Sequence, residues 1–180
     1  MNITIFGSSS PSPGEPAYEE ARRLGELLAR AGHCVLTGGY MGTMEAVSRG
    51  AAEAGGHTVG VTCEQIEVWR KSKANAWVRE ERRFATLRER LYTLIESCDA
   101  ALALPGGVGT LAEIATMWSQ MQTSSMPERP LVLIGSGWRK IFETLFAELD
   151  GHIAGAHRGL LYFAPDNDAA LALVQGKLTV

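Results

Sequence analysis

The fold of this chain is decided by the stretch Ala100-Ala101-Leu102-Ala103-Leu104-Pro105-Gly106-Gly107-Val108-Gly109-Thr110. Residues 100–104 are continuously apolar, which is typical of a central strand that is covered on both faces of a sheet. Three glycines follow within four residues, and residues 110–122 then carry apolar side chains at helical spacing. Where such a loop enters a helix, backbone N–H groups are unsatisfied and the helix dipole adds partial positive charge. The stretch therefore predicts that residues 106–110 bind the phosphate of a small nucleotide.

Outward from this loop, strand-like and helix-like segments alternate along the chain. Short apolar or β-branched runs predict strands at 2–6, 34–37, 58–61, 76–78, 100–104, 131–134 and 160–163. Helical spacing predicts helices at 18–31, 43–54, 84–97, 110–122, 138–149 and 169–175. This alternation predicts an α/β fold, a Rossmann-like parallel sheet with helices on both faces and a ligand at the carboxyl ends of the strands. We find no linker that would divide residues 1–180, so they are expected to form one nucleotide-binding domain.

Composition excludes several classes of protein. The chain is 46% hydrophobic and 21% charged, which is ordinary for a soluble globular protein, and no apolar stretch approaches the ~18 residues of a membrane span. The formal net charge of -3 argues against a general nucleic-acid binder. A basic cluster does exist, and it is interpreted mainly as a solvated helix face: Arg79, Arg82, Arg83, Arg88 and Arg90.

Cysteine and histidine spacing indicates no metal site. Cys34, Cys63 and Cys98 are far apart and form no CxxC pair, so neither a zinc site nor a redox motif is predicted. The four histidines show no ligand spacing. The first residues enter a strand-like run at once, without the basic and apolar regions of a secretory leader, so the expected location is cytoplasmic.

A second glycine segment, Gly38-Gly39-Tyr40-Met41-Gly42-Thr43-Met44, also runs from a predicted strand into a predicted helix. It could likewise present N–H groups to an anion, or its glycines could serve simple turns. Two well-known nucleotide fingerprints are absent. There is no GxGxxG with a following acid after the first strand, and no GxxxxGK[ST], so neither dinucleotide binding nor a P-loop NTPase is predicted.

Two charged residues are the candidates for chemistry. Glu113 follows Thr110 by three residues, so it lies beside the anion loop, where it could orient water or contact a ribose hydroxyl. The same Thr-x-x-Glu spacing is also that of a capping box with a structural role. Arg90 lies three residues from Leu87 and four from Leu94, on or beside the apolar side of its helix. An inward arginine needs a partner, which could be a phosphate, a ribose, Glu113 or another acid in a structural ion pair.

These residues resemble the LOG ("lonely guy") family of phosphoribohydrolases. Pro105-Gly106-Gly107-x-Gly109-Thr110-x-x-Glu113 is similar to that family's PGGxGTxxE signature, and the 38–44 segment resembles its GGxxGxM segment. Glu89-Arg90 resembles the helix motif that carries its catalytic arginine, and the similarity runs from about Asn2 to Leu149. The family often has lysine directly after that arginine, whereas this chain has Leu91.

The resemblance implies a Rossmann-like fold, a homodimer and hydrolysis of a nucleoside 5′-monophosphate, such as AMP or N6-modified AMP, to free base and ribose 5-phosphate. It implies Arg90 and Glu113 as the catalytic pair and the 106–110 loop as the phosphate site. By the same analogy, the residues nearest the nucleoside would be Gly7, Ser8, Ser9, Gly38, Gly39, Gly42, Met44 and Glu89.

Two alternatives stay open at this point. A nucleotide-binding carrier for molybdenum cofactor has the same signature, so the protein could hold a nucleotide without cleaving it. In a purely structural interpretation, the glycines form turns and Glu113 caps a helix. A pyridoxal-phosphate decarboxylase is not predicted, because none of the four lysines lies in the glycine-loop constellation, and no cofactor or metal is expected. Met117, Trp118, Met121 and Met126 could belong equally to a dimer face or to the core.

Overall fold

The protein, described here from a computed structural model that covers residues 1–178, is built on one seven-stranded parallel sheet. The end of the predicted domain, residues 179 and 180, lies outside the described residues. The strands are β1 (Asn2–Phe6), β2 (Cys34–Thr37), β3 (Thr58–Cys63), β4 (Glu80–Phe84), β5 (Ala100–Ala103), β6 (Leu131–Ile134) and β7 (Leu161–Ala164). The helices are α1 (Pro16–Arg30), α2 (Thr43–Glu53), α3 (Glu64–Arg70), α4 (Leu87–Glu96), α5 (Val108–Gln122), α6 (Ser136–Glu148), α7 (Gly155–Arg158) and α8 (Asn167–Leu178).

The strand order is β4-β3-β2-β1-β5-β6-β7, so β1 and β5 are central neighbours. One core lies between the sheet and helices α1, α2 and α8, and the second lies between the other face and helices α4, α5 and α6. The chain therefore leaves β1 towards one face of the sheet and leaves β5 towards the other. In parallel α/β sheets this divergence opens a crevice at the carboxyl ends of the strands, which is where ligands bind. The predicted α/β, Rossmann-like fold is confirmed.

Burial explains why the central strands were predictable. All four residues of β5 are buried, as are those of β6, because helices cover both faces of the sheet there. The methionines at issue belong to the core rather than to a surface: Met117, Met121 and Met126 are buried beside the sheet. Trp118 is partly buried and packs edge-on against Phe142, with ring centroids 5.7 Å apart.

One region differs from the sequence prediction. Residues 76–78 form part of a turn around Asn75 rather than a strand, and the strand lies at Glu80–Phe84 instead. The predicted 84–97 helix consequently begins only at Leu87. The strand β4 was missed because it is the edge of the sheet, where half-exposed charged residues replace the apolar alternation. Arg82 and Arg83 therefore lie on a strand and not on a helix face.

Among the helices of residues 1–178, none is long and apolar enough to cross a membrane.

Candidate active site

A cavity of about 540 Å³ opens at the carboxyl ends of the strands, between the loops that follow β1 and β5. Its volume lies within the range of sites that hold small molecules. The loop after β1 contributes Gly7, Ser8, Ser9 and Ser10, and the start of α5 contributes Gly107, Val108, Gly109 and Thr110. Arg90 and Glu113 also line this cavity, so the structure brings the predicted loop and the predicted charged pair together.

The N-terminus of α5 is uncapped and faces the cavity. Its first helical hydrogen bond is donated by the N–H of Leu111 to the carbonyl of Gly107, so the N–H groups of residues 108–110 precede the helical ladder. The N-cap residue, Gly107, has no side chain that could accept from them, and no acidic residue lies in the first turn. The partial positive charge of this 15-residue helix is therefore not neutralised by the chain itself.

Two different constraints favour glycine in this loop. A Cβ on Gly106 would collide with the Oγ1 of Thr110, which packs against it. A Cβ on Gly107 or Gly109 would meet nothing in the protein, and neither residue has a positive φ. Neither folding nor packing therefore requires glycine at these two cavity-lining positions, whereas the close approach of a ligand would. The hydroxyl of Thr110 is buried without a hydrogen-bond partner among the described residues.

The second glycine segment differs from the first, because part of its helix start is already used within the protein. The N–H of Thr43, at the start of α2, donates to the carbonyl of Ser8 at 2.8 Å, and the hydroxyl of Thr43 donates to the same oxygen at 3.0 Å. Gly39 and Gly42 have φ values of 76° and 73°, and Gly42 packs closely against the backbone of Ser8 and Ser9. The turn interpretation is therefore the right one for these two glycines. Met44 lines the cavity, whereas Gly38, Gly39 and Gly42 are not among its lining residues.

Arg90 is buried beneath the cavity and is held by backbone carbonyls. It is 6% exposed, and its Nε donates to Val61 O at 2.8 Å while its Nη2 donates to Gly38 O at 3.3 Å. Gly38 must be glycine because a Cβ there would overlap the guanidinium. The guanidinium also lies 5.7 Å from the ring centroid of Tyr40. These contacts fix the orientation of Arg90 and leave Nη1 directed towards Glu113.

Glu113 is a nearly buried carboxyl group with a single charged neighbour. Its side chain is 13% exposed, and its Oε1 lies 3.9 Å from Nη1 of Arg90, which is too long for a hydrogen bond. Within residues 1–178, no side chain or backbone N–H donates a hydrogen bond to this carboxyl group. Burial raises the pKa of Glu113 to about 7, although the positive charge of Arg90 acts in the opposite direction.

The capping-box interpretation of Thr110 and Glu113 is wrong. Because α5 begins at Val108, Thr110 is already inside the first turn and Glu113 lies in the second turn, beyond the capping positions. A capping box does exist at the start of α4, where the carboxylate of Glu89 accepts from the N–H of Thr86 at 2.9 Å. Glu89 is exposed and does not line the cavity, so the structure does not bring it to the nucleoside side. Gly106, unlike residues 107–110, is not among the residues that line the cavity.

Sequence reasoning missed one wall of the cavity. Its additional lining residues are Tyr40, Gln65, Ile66, Trp69, Arg70 and Leu87. Four of them lie on α3, a seven-residue helix with no buried residue. Such a helix has no apolar stripe, and therefore no periodic signal by which it could be found in the sequence. The one hint in the sequence was a tryptophan, Trp69, within a segment of mostly polar and charged residues.

The raised pKa of Glu113 predicts a pH dependence of stability. Between pH 4.5 and about 7 the folded protein binds the Glu113 proton more tightly than the unfolded chain does, so this contribution to stability is lost as the pH rises through that window. Glu113→Gln removes it. We expect the difference in the free energy of unfolding, variant minus wild type, to increase by at most about 3 kcal/mol from pH 4 to pH 8, measured by urea denaturation. A difference that is constant across this range would show that the carboxyl group titrates normally.

Comparisons with known proteins show the family to which the chain belongs. The model of the SLOG cluster4 family matches residues 1–137. A protein of Oryza sativa subsp. japonica, named as a probable cytokinin riboside 5′-monophosphate phosphoribohydrolase, is 31% identical over 91% of this chain and 73% of its own length. A cytokinin riboside 5′-monophosphate phosphoribohydrolase of Rhodococcoides fascians is 27% identical over 97% of this chain and 89% of its own length.

Solved structures of carriers share the fold. The molybdenum cofactor carrier protein of Chlamydomonas reinhardtii superposes with a TM-score of 0.76 at 27% identity, covering 99% of this chain and 98% of that one. The molybdenum cofactor binding protein of Rippkaea orientalis gives a TM-score of 0.77 at 23% identity over 98% and 96% of the two chains, which is a likeness of fold. The match to the family model over most of the chain, together with the relatives at these identities, shows that this chain belongs to the SLOG cluster4 family, within the LOG family.

Proposed function

We propose that this protein is a phosphoribohydrolase that cleaves the N-glycosidic bond of a purine nucleoside 5′-monophosphate, AMP or an N6-modified AMP, to give free base and ribose 5-phosphate. The observation that carries the proposal is the carboxyl group of Glu113, which is nearly buried, has a pKa of about 7 and lines the same cavity as an uncapped helix N-terminus. The relatives named as phosphoribohydrolases support the reaction class.

In this proposal the start of α5 binds the 5′-phosphate. The unpaired N–H groups of residues 108–110 and the helix dipole favour a dianion there, and the bare backbone of Gly107 and Gly109 allows its oxygens to approach closely. Fixing the phosphate also fixes the ribose, because the two are covalently joined. Such positioning contributes several kcal/mol to a reaction by removing orientational freedom.

Glu113 and Arg90 then act on the glycosidic bond. The base leaves with the bonding electron pair and takes up a proton, while positive charge develops on the ribose as in an oxocarbenium ion. The Glu113 carboxylate would stabilise that charge or accept a proton from the water that adds to the anomeric carbon, and a pKa near neutrality suits such a base. Arg90 has one guanidinium nitrogen left for Glu113, phosphate, ribose or the departing base, after two nitrogens have bound carbonyls.

We further propose a homodimer, as the family resemblance implies. Exposed apolar side chains on α4 and at the start of α5 support it: Leu87, Tyr92, Val108 and Leu111 are 48%, 37%, 85% and 41% exposed. Val108 and Leu87 also line the cavity, so a second copy seated on this face would lie close to the ligand. Sedimentation at micromolar concentration would give the mass of two chains, and the mass of one chain would contradict the dimer.

The second candidate function is a carrier that binds a nucleotide or a nucleotide-containing cofactor without turnover. It is favoured by the likeness to the carrier protein of Chlamydomonas reinhardtii at 27% identity over nearly the whole of both chains. The two functions share the phosphate site and differ in the role of Glu113. A carrier has no use for a catalytic carboxyl group, so a buried Glu113 without a hydrogen bond favours the enzyme.

Replacing Glu113 tests the enzymatic proposal. Purified protein is incubated with AMP and with an N6-prenylated AMP, and free base and ribose 5-phosphate are measured. We expect Glu113→Gln to lower kcat by about 100-fold or more, because a positioned acid–base group contributes that much, while the variant still binds AMP. The control is Glu96→Gln, an exposed carboxylate on α4 outside the cavity, which should behave as the wild type. Wild-type turnover by Glu113→Gln would remove Glu113 from the mechanism, and AMP binding without any base release would establish the carrier.

A pair of glycine substitutions tests the phosphate site. Gly109 and Gly137 occupy the same position, the second residue of α5 and of α6, and both have open space where a Cβ would stand. Each alanine variant should be as stable as the wild type or more stable by up to about 1 kcal/mol. We expect Gly109→Ala to weaken AMP binding by about ten-fold or more in calorimetry, because its methyl group takes space at the phosphate, and Gly137→Ala to bind normally. Equal AMP affinity in the two variants would contradict this location of the phosphate.

A further inference from the structure

The cavity has two chemically different walls. The wall at the start of α5 offers backbone N–H groups and small residues, whereas the wall formed by α3 presents Ile66 and Trp69. Trp69 is 73% exposed, which is unusual for so large an apolar side chain at the rim of a cavity. Packing does not explain it, because α3 has no buried residue and Trp69 belongs to neither hydrophobic core. An exposed indole at a ligand cavity has a free aromatic face to offer.

Polar contacts hold α3 in place, although no core packing does. Arg83 on β4 forms ion pairs with Glu64 at 3.0 Å and with Glu67 at 2.7 Å, both on α3. The N–H of Leu87 donates to the side-chain carbonyl of Gln65 at 2.8 Å, which ties α3 to the start of α4. The wall that carries Trp69 is therefore positioned before any ligand binds. A surface that is already ordered avoids the entropy cost that ordering would subtract from the affinity.

The next residue adds charge to the same surface. The guanidinium of Arg70 lies 4.9 Å from the ring centroid of Trp69, within the distance of a cation–π contact, and Arg70 also lines the cavity. An aromatic ring beside a guanidinium plane is a surface on which the bases of nucleotides stack. The cavity thus offers a candidate anion site on one wall and a stacking surface on another.

We propose that Trp69 is the stacking residue for the base, and that α3 makes the site specific for a ribose phosphate that carries a planar aromatic heterocycle. The inference rests on the proposed function, since it uses the phosphate position at α5 to place the ring towards α3. Trp69 is a specificity-determining residue in this account and takes no part in bond cleavage, which stays with Glu113 and Arg90.

The experiment compares a ligand that has the ring with one that lacks it. Dissociation constants for AMP and for ribose 5-phosphate are measured by calorimetry in the Glu113→Gln chain, so that AMP is not consumed. Three variants are made in this Glu113→Gln background: Trp69→Ala, Trp69→Phe and, as a control on the same helix, Val68→Ala. Val68 is 79% exposed and does not line the cavity. Because Trp69 and Val68 are both exposed, all variants should melt within a few degrees of the parent, which the same samples report.

We expect Trp69→Ala to weaken the affinity for AMP about 5- to 100-fold and to change the affinity for ribose 5-phosphate by no more than about two-fold, because only AMP carries a ring that stacks on the indole. Trp69→Phe should recover part of the affinity for AMP, and Val68→Ala should change neither ligand. Unchanged AMP affinity in Trp69→Ala, or an equal loss for both ligands, would overturn the inference and leave the proposed function standing. If the parent chain binds neither AMP nor ribose 5-phosphate, the proposed function fails, and this inference fails with it.

Discussion

The site depends on a buried guanidinium that the backbone holds in one orientation. Arg90 donates from Nε to Val61 O within β3 and from Nη2 to Gly38 O just after β2. A buried arginine without such partners would be strongly unfavourable, so its position is tied to the register of two neighbouring strands. The absence of a side chain at Gly38 leaves the space that the guanidinium occupies. The electrostatic environment of Glu113 follows from this arrangement, because Arg90 supplies the one positive charge that opposes its desolvation.

Two helix N-termini with similar sequences differ here for a local physical reason. Both α2 and α5 follow a strand and a glycine turn, and both have a threonine in the first turn. At α2 the carbonyl of Ser8 accepts from the N–H and hydroxyl of Thr43, and the acidic residue Glu45 lies in the first turn, so the helix start is partly satisfied and its dipole is opposed within the protein. At α5 no such acceptor is present among the described residues, and Val108 is 85% exposed. The two helix starts therefore differ partly through a distant loop, which the local sequence does not contain.

The fold and half of the site could be predicted from the sequence because they rest on local patterns. The strands at 2–6, 34–37 and 131–134 lie where their apolar runs indicate, and the inward position of Arg90 follows from its spacing to Leu94. The spacing of Glu113 from Thr110 predicted its position beside the loop. The interpretation of Glu113 as a helix cap was wrong, because α5 starts two residues earlier than the periodicity indicates. The strand β4 and the helix α3 could not be found, since neither buries an apolar stripe. Pairing with β3 holds β4, and ion pairs with a distant residue, such as Glu67 with Arg83, hold α3.

In the proposed reaction the Glu113 carboxyl group, beside Arg90 in the second turn of α5, acts in cleaving the nucleotide that the loop binds. A single-turnover experiment tests it most directly: AMP is mixed with a several-fold excess of protein, and the reaction is quenched at intervals and separated into AMP, adenine and ribose 5-phosphate. We expect AMP to be converted completely to equal amounts of adenine and ribose 5-phosphate, at a rate that changes with pH around the Glu113 pKa of about 7. Recovery of intact AMP from the protein complex at all times and pH values would contradict it.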